Sequence, residues 1–230
     1  MTTQRKADLL LVLITGFWGC SYYLSDLALG EMPPFALCAM RFLLAFALLG
    51  IALFPKLRHV NRKTLLWAVP AGLSLTLTYI GATVGLLYTS ISNAGFICSL
   101  PAVTTPLLTF LLYRKKPERR MLLCLVLCTV GLGLLTLGND FRPAPGDLIC
   151  LLCALGYGIN LLVVEHAVRQ PEVDALQLGV FQQLVTGAAM LVLSLLFETP
   201  CLPQTPTGWG SVLFLSVFCT GIAFAITAVQ

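Results

Sequence analysis

The residues of this sequence that could bind a solute or carry out chemistry are charged and polar groups inside long apolar stretches. Arg41 lies in the apolar stretch 35–54, and Asp26 lies near the end of the stretch 8–29. Charged groups are costly in hydrocarbon, so they pair with one another or mark the path of a solute. Arg41 and Asp26 are predicted at compatible depths on neighbouring antiparallel helices. They are therefore predicted to form a gate, a contact for a substrate anion, or a structural ion pair that stabilises the fold.

A second group of candidates surrounds two prolines that stand five residues apart. Ser99, Pro101, Thr104 and Thr105 lead up to Pro106 in one apolar stretch. Proline removes a backbone donor and clashes with a preceding carbonyl, so both prolines predict kinks. The freed carbonyls then need hydroxyl groups, water or a solute as partners. The segment predicts either one wall of a solute cavity or a kink that serves packing alone.

Aromatic, hydroxyl and amide side chains recur in three of the other apolar stretches. An aromatic and hydroxyl lining with few charges suits a zwitterionic solute or one with an apolar body. Taken singly, each of these residues can equally serve helix packing or interhelical hydrogen bonding. The remaining candidates for the lining of a cavity are Trp18, Ser21, Tyr22, Thr76, Tyr79, Tyr157 and Asn160.

Two further pairs of residues receive a structural interpretation. Gln182 and Gln183 carry four amide donors between them inside one apolar stretch, and hydrogen bonds to neighbouring helices are the default expectation. Gly81 and Gly85 fit the small-xxx-small pattern, which predicts close approach of two helices.

Acidic, histidine and cysteine residues are too scattered to predict an enzyme or metal site. His59 and His166 lie far apart, and no phosphate-binding loop or zinc-protease motif is present. The nine cysteines fall almost entirely in apolar stretches, where cysteine packs as a small hydrophobe. We expect no enzyme activity, no cofactor and no metal. Two alternatives to a protein that moves a solute stay open: a membrane-embedded lipid or isoprenoid enzyme, and a noncatalytic membrane partner protein. The enzyme would need a nucleophile or clustered carboxylates.

Composition places the chain in a membrane. Hydrophobic residues make up 58% of the 230 residues and charged residues only 10%, with a mean hydropathy of +0.91. About 20 apolar residues cross a bilayer as a helix, and lipid-facing backbone must be helical. The sequence therefore predicts an all-α membrane protein, a polytopic helical bundle. Eight predicted spans cover residues 8–29, 35–54, 65–87, 93–113, 121–138, 147–168, 175–198 and 208–229.

The positive charges predict the orientation of this bundle in the cell (plasma or inner) membrane. With the N-terminus in the cytoplasm, twelve of the fourteen Lys and Arg residues face the cytoplasm, Arg142 faces outward and Arg41 lies within a span. Cytoplasmic loops of membrane proteins carry such an excess of Lys and Arg. The net charge of +4 therefore reflects orientation in the lipid bilayer, and we expect no nucleic-acid partner.

The sequence repeats itself at an offset of 139 residues. This offset takes Asp8 to Asp147 and Gly19 to Gly158. An odd number of spans in each copy turns the second copy upside down. The predicted repeats are residues 1–138, with five spans, and residues 139–230, with three.

Loop charges support the inversion independently of that alignment. Residues 56–63, which follow the second span, contain four basic residues, whereas residues 199–208, their counterpart in the second copy, contain none. Inverted repeats with a site between them are typical of secondary transporters.

Several short motifs occur in a fixed order along the chain. They are Phe17-Trp18-Gly19-Cys20-Ser21, Pro33-Pro34-Phe35, Met40-Arg41-Phe42-Leu43-Leu44-Ala45, Leu87-Tyr88-Thr89-Ser90-Ile91-Ser92-Asn93-Ala94, Pro101, Pro106 and Gly146-Asp147-Leu148. With these motifs, the sequence resembles the EamA-type transporters of the drug/metabolite transporter superfamily. The likeness extends over nearly the whole chain.

This resemblance implies ten helices in two inverted repeats of five, with both termini cytoplasmic. It also implies transport of small amino-acid-like or drug-like metabolites, by alternating access. Two departures stand out. Tyr113-Arg114-Lys115 replaces the Gly-Glu usual in the family, and the ninth and tenth helices are absent. We therefore expect a fragment or a truncated product, and a homo-oligomer is among the expected partners.

Overall fold

The structure is a computed structural model that describes residues 3–114 and 144–227, with a few isolated positions between 122 and 134. All regular elements in this described part are helices. Most of the predicted fifth span, 121–138, lies outside the described residues.

The helices follow the predicted spans closely. Within the described part, they are α1 (Thr3–Leu29), α2 (Pro34–Ala52), α3 (Phe54–Leu57), α4 (Arg62–Leu86), α5 (Ile91–Ile97), α6 (Pro101–Tyr113), α7 (Pro145–Val168), α8 (Ala175–Phe197), α9 (Pro206–Phe214), a π-helix (Leu215–Ile222) and α10 (Ala223–Thr227).

Six helical segments of the described residues are long and apolar enough to cross a membrane. The polytopic helical class is thereby supported, while the count of eight spans stays a prediction. The six segments are Pro34–Ala52, Arg62–Leu86, Ile91–Leu112, Pro145–Val168, Ala175–Phe197 and Pro206–Thr227.

Local sequence explains where several helices begin. α2, α6 and α9 each have proline in the first turn, where no intrahelical partner is needed for the missing N–H. The side chains of Asp174 and Thr205 cap α8 and α9 by accepting hydrogen bonds from Gln177 N, at 2.8 Å, and Gly208 N, at 3.0 Å. Such caps satisfy amides that the helix itself leaves free.

The chain forms two compact units, each of which is described separately. Unit 1 comprises residues 1–73 and 166–230, and unit 2 comprises residues 74–165. Each unit draws on both predicted repeats, and the repeat boundary at residue 138 stays a prediction.

Unit 1 is built around α2, which packs most extensively against α8 and also against the π-helix. Gly187 of α8 lies directly against Leu43 of α2, since a Cβ atom there would fall 2.9 Å from the Leu43 side chain. Phe42 is fully buried in this unit. Glycine at position 187 therefore lets the backbones of α2 and α8 come close.

A carboxylate binds the N-terminus of α2 in unit 1. Glu198 accepts hydrogen bonds from Phe35 N at 2.9 Å and from Ala36 N at 3.0 Å, and it also accepts one from Ser194 Oγ at 3.0 Å. A negative charge at a helix N-terminus pairs with free amides and with the helix dipole. Glu198 thus ties the end of α8 to the start of α2.

A second carboxylate, Glu31, does the same for the start of α9. It accepts hydrogen bonds from Gln204 N at 3.0 Å, from Thr205 N at 3.1 Å and from the Thr205 hydroxyl. The hydroxyl and amide of Thr205, followed by the Gln204 amide, hold the pKa of Glu31 below its ordinary value of 4.5, although desolvation opposes them.

We expect Glu31 to make the stability of unit 1 depend on acid pH. A carboxyl group with a lowered folded-state pKa stabilises the protein above pH 4.5, and this stabilisation is lost as the pH falls through the folded-state pKa. Glu31→Gln should therefore lower the midpoint of thermal unfolding at pH 7, and the difference from the wild type should shrink below pH 4.5. A difference that stayed constant down to acid pH would contradict this role.

Unit 2 is held by close contact between α4 and α7. A Cβ atom on Gly81 would fall 2.3 Å from Cys153 N, and one on Gly85 would fall 2.5 Å from Cys150 Sγ. A Cβ atom on Gly156 would likewise lie 2.7 Å from the backbone nitrogen of Thr78. The prediction that Gly81 and Gly85 allow close helix approach is confirmed.

A buried carboxylate organises one end of unit 2. Asp147, which is only 6% exposed, accepts hydrogen bonds from the Thr89 hydroxyl, from Asn93 Nδ2 at 3.4 Å and from Ala144 N at 3.0 Å. It therefore joins the start of α7 to the connection between α4 and α5.

Candidate functional site

Arg41 is the central residue of the candidate site in unit 1. Only 4% of its surface is exposed, and its Nε donates a hydrogen bond to Thr220 Oγ1 at 2.5 Å. Its guanidinium carbon also lies 5.9 Å from the centre of the Phe42 ring. Asp26 is exposed in α1. The prediction that Asp26 and Arg41 pair stays a prediction, whereas the contact with Thr220 is a finding of the structure.

The partner of Arg41 lies in the π-helix Leu215–Ile222. A π-helix displaces the regular backbone hydrogen bonds and is frequent at functional sites. Ser216, Cys219 and Thr220 are fully buried on this element. Ser216 Oγ donates to the carbonyl of Val212 at 2.7 Å, so its hydroxyl is used within the helix.

Two of the predicted candidates meet at consecutive residues of the π-helix. Trp18 Nε1 donates to the carbonyl of Cys219 at 3.1 Å, next to the Thr220 hydroxyl that Arg41 binds. Ser21 Oγ donates to the carbonyl of Trp18 at 2.7 Å. Tyr22, the other candidate on α1, is half-buried. In unit 1, the Trp18 indole and the Arg41 guanidinium thus both donate hydrogen bonds to the π-helix.

The candidates in unit 2 cluster along α6 and α7. Thr104 Oγ1 donates to the carbonyl of Ala154 at 2.9 Å. Thr105 Oγ1 is buried and has no hydrogen-bond partner within the described part of the chain. Gly158 provides the space for both threonines, since a Cβ atom there would lie 3.1 Å from Thr104 Oγ1.

The other candidates of unit 2 lie on α4 and α7 or at the break before α6. Asn160 Nδ2 donates to Ser74 Oγ at 3.2 Å, and Asn160 is 2% exposed. Ser99 is exposed and its hydroxyl donates to the carbonyl of Phe96 at 2.6 Å. Pro101 and Thr76 are buried, and Tyr79 and Tyr157 are half-buried.

At the first of the two prolines for which kinks were predicted, the fourth span is broken into two helices. α5 ends at Ile97 and α6 begins at Pro101, whereas Pro106 lies inside α6. Amides in the intervening turn bond three residues back, as Ser99 N does to the carbonyl of Phe96 at 3.0 Å. The break therefore lies just before Pro101, which has no N–H to continue the helical hydrogen bonding of α5.

No metal centre is present among the described residues, and one groove of unit 1 is apolar. No group of three or more His, Cys, Asp or Glu side chains there is close enough to hold a metal. Unit 1 carries an open groove of about 630 Å³. Its lining is apolar and consists of Phe46, Ala47, Gly50, Ile51 and Phe54. None of these residues is a predicted candidate.

Comparison with protein families decides the class of this molecule. The EamA-like transporter family matches residues 5–137 and again residues 144–229. The chain belongs to the EamA-like transporter family. It is a multi-pass membrane protein of a transporter family, as its motifs predicted.

Relatives of this EamA-like chain include uncharacterised transporters. One from Archaeoglobus fulgidus is 32% identical over 163 residues, which cover 71% of this chain and 50% of the relative. The uncharacterised transporter YetK of Bacillus subtilis is 26% identical and covers 96% of this chain, with 70% of its own length matched. The chain thus spans about half the length of the archaeal relative.

A solved crystal structure has the same fold as this EamA-like chain. It superposes with a TM-score of 0.71 and 21% identity, and the match covers 98% of this chain and 78% of the other. At this identity the likeness concerns the fold alone.

The sequence of this EamA-like chain did not predict the π-helix or the role of Thr220 as a partner of Arg41. Thr220 stands between Cys219 and Gly221, a run of three small residues in an otherwise apolar segment. Small residues predict close packing, but nothing in their spacing indicates a π-helix or a partner in α2.

Proposed function

We propose that the protein is a secondary transporter that moves small amino-acid-like or drug-like metabolites by alternating access. Membership of the EamA-like family supports the transporter class. The observation that carries the site is Arg41, a buried guanidinium in an apolar helix, held by the Thr220 hydroxyl on a π-helix. No enzyme chemistry is needed to explain this arrangement.

The position of Arg41 favours a role in solute binding. A charge at the centre of a membrane helix costs about 2.5–3.5 kcal/mol on insertion scales, so it must gain compensating contacts. Beyond the Nε that donates to Thr220, a guanidinium group carries a planar fork of N–H donors at its end. Such a fork matches a carboxylate with two parallel hydrogen bonds. We propose that the carboxylate of a metabolite competes for Arg41 during the transport cycle.

Alternating access requires an element that can change its hydrogen bonding at low cost. The π-helix already departs from regular α-helical bonding, and Trp18 and Arg41 both bind it at neighbouring residues. A shift to α-helical geometry would move Thr220 relative to Arg41. We propose that this local rearrangement releases Arg41 to the solute.

We also propose that the protein lies in the cell membrane with its N-terminus in the cytoplasm.

Counterflow in proteoliposomes tests the proposed function. Vesicles containing the purified protein are loaded with one unlabelled amino acid at high concentration and receive a trace of the labelled form outside. A carrier accumulates label transiently because internal solute drives exchange. We expect accumulation above protein-free vesicles for at least one solute from a panel of neutral, acidic and amide amino acids. The absence of accumulation across the whole panel would contradict the proposal.

A further inference from the structure

Gln183 has a buried side-chain amide without hydrogen bonds. The residue is fully buried in α8, and neither Oε1 nor Nε2 has a partner among the residues that the structure describes. By contrast, Thr186, three residues later, donates to the carbonyl of Gly72 at 2.9 Å and to that of Gln182 at 2.9 Å. The amide of Gln183 is therefore an exception within an otherwise bonded helix.

Helical spacing places Gln183 on the face of α8 that packs against α2. Residues four, seven and eleven positions later share its face, and these are Gly187, Met190 and Ser194. All three are buried, and Gly187 lies directly against Leu43 of α2. Gln183 is thus one helical turn from this contact between α2 and α8.

This position is about a third of the way along a membrane-spanning helix. α8 has 23 residues, and Gln183 is eight residues after its first residue, Ala175. At 1.5 Å per residue, the amide lies about 12 Å along a helix about 34 Å long. Water from either side must therefore cross most of a leaflet to reach it.

An amide in this position requires a partner at some stage. More than nine in ten buried polar groups of proteins are hydrogen-bonded, and an unpaired buried group is costly. The polar atoms of Gln183 are enclosed in this structure. A partner therefore reaches them only when the packing around Gln183 opens, as it would during the cycle of a transporter.

We propose that Gln183 is a binding site for a neutral carboxamide group of the transported solute. This inference rests on the proposed function, whose cycle supplies the opening of the helices. A glutamine amide presents one acceptor beside two donors, so it pairs at two points with another amide edge. A solute that lacks the donor leaves the buried amide oxygen unpaired, which is a strong basis for discrimination. Water offers the same hydrogen bonds, and the experiment separates it from a solute.

The test uses thermal unfolding of the purified protein in lipid nanodiscs with two matched probes. N-acetyl-phenylalaninamide carries the carboxamide, whereas N-acetyl-phenylalanine methyl ester has the same body without the terminal amide donor. We expect the amide to raise the unfolding midpoint of the wild type more than the ester does. In Gln183→Met the two probes should act alike.

Baseline stability gives a second, ligand-free readout of the same residue. Gln183→Met removes an unpaired amide with little change in volume, so its midpoint should rise by about 2–4 °C. Thr186→Val, the matched control, removes a hydroxyl that is bonded, so its midpoint should fall by a similar amount. A fall in Gln183→Met would show that the amide is already bonded, and it would overturn the inference.

The remaining outcomes separate this inference from the proposed function. Equal effects of amide and ester on the wild type would leave water as the only partner and would overturn the carboxamide site. A preference for the amide that survives in Gln183→Met would also overturn it. If the carboxamide site is overturned but the wild type shows counterflow, the proposed transporter function still stands. If the amide is preferred in a manner that depends on Gln183 but no counterflow occurs, the carboxamide site stands and the transporter function is contradicted.

Discussion

Replacement of Arg41 by methionine is expected to reduce counterflow by about tenfold or more, while the protein still folds. A hydrogen bond to a charged group contributes about 1.5–3 kcal/mol, which corresponds to roughly tenfold to hundredfold in binding. Methionine fills the volume of the buried stem and removes the charge that α2 must keep in an apolar environment. The Thr220 hydroxyl, left without its donor, can bond to a carbonyl of its own helix. Initial rates of counterflow and the midpoint of thermal unfolding measure the two effects.

Two further variants make the Arg41 prediction specific. Arg58→Met changes an exposed arginine of the same charge at the end of α3, and it should leave counterflow unchanged. Thr220→Val keeps the guanidinium but removes its acceptor, so it should lower the unfolding midpoint as well as the rate. Wild-type rates in Arg41→Met would mean that the arginine has no part in solute binding.

Gly81→Ala is expected to destabilise unit 2 strongly. The added Cβ would lie 2.3 Å from the backbone nitrogen of Cys153 and 2.9 Å from the carbonyl carbon of Leu152. Backbone atoms cannot rotate away as a side chain can, so α4 and α7 must separate. Overpacking of this kind costs about 1–3 kcal/mol, and each kcal/mol lowers the unfolding midpoint by about 2–4 °C.

Gly16→Ala is the matched control for this substitution. Gly16 is an exposed helical glycine of α1, and no heavy atom lies within 4 Å of the position that its Cβ would occupy. Alanine is about 1 kcal/mol more favourable than glycine in a helix, so this variant should be neutral or more stable. Equal unfolding midpoints for the two variants would contradict the close contact between α4 and α7 at Gly81.

Much of the helical framework was predictable because its signals are local. The predicted second span, 35–54, agrees with α2 at Pro34–Ala52, and the predicted third span, 65–87, agrees with α4 at Arg62–Leu86. Hydropathy defines the length of a span, while proline and polar caps mark its ends. These properties need no knowledge of distant residues.

The fourth span shows where local reasoning loses detail. The prolines predicted kinks at two positions, but only the first coincides with a break between α5 and α6. Pro106 is accommodated within α6. The local pattern identifies where a backbone donor is missing, but neighbouring side chains decide whether the helix bends or breaks.

The candidate site was predicted as a set of residue types, and its contacts were not predictable. The pairing of Arg41 with Asp26 stays a prediction, and the structure adds Thr220 as a partner of Arg41, 179 residues away along the chain. Gln183 was expected to bond to a neighbouring helix, yet its amide has no partner in the described part of the chain. Both outcomes depend on how side chains from distant segments meet.

The sequence by itself determined a membrane-embedded helical chain, its family and the short list of polar residues inside its spans. Hydropathy, proline and motif order carry that information, because each acts over at most one helix. Only the tertiary structure decided that Thr220 receives the Arg41 hydrogen bond, that Gln183 is enclosed unpaired, and that Gly81 touches the Cys153 backbone. The physical reason is that hydrogen bonding and close packing are set by distances between helices, and no local pattern in the sequence specifies those distances.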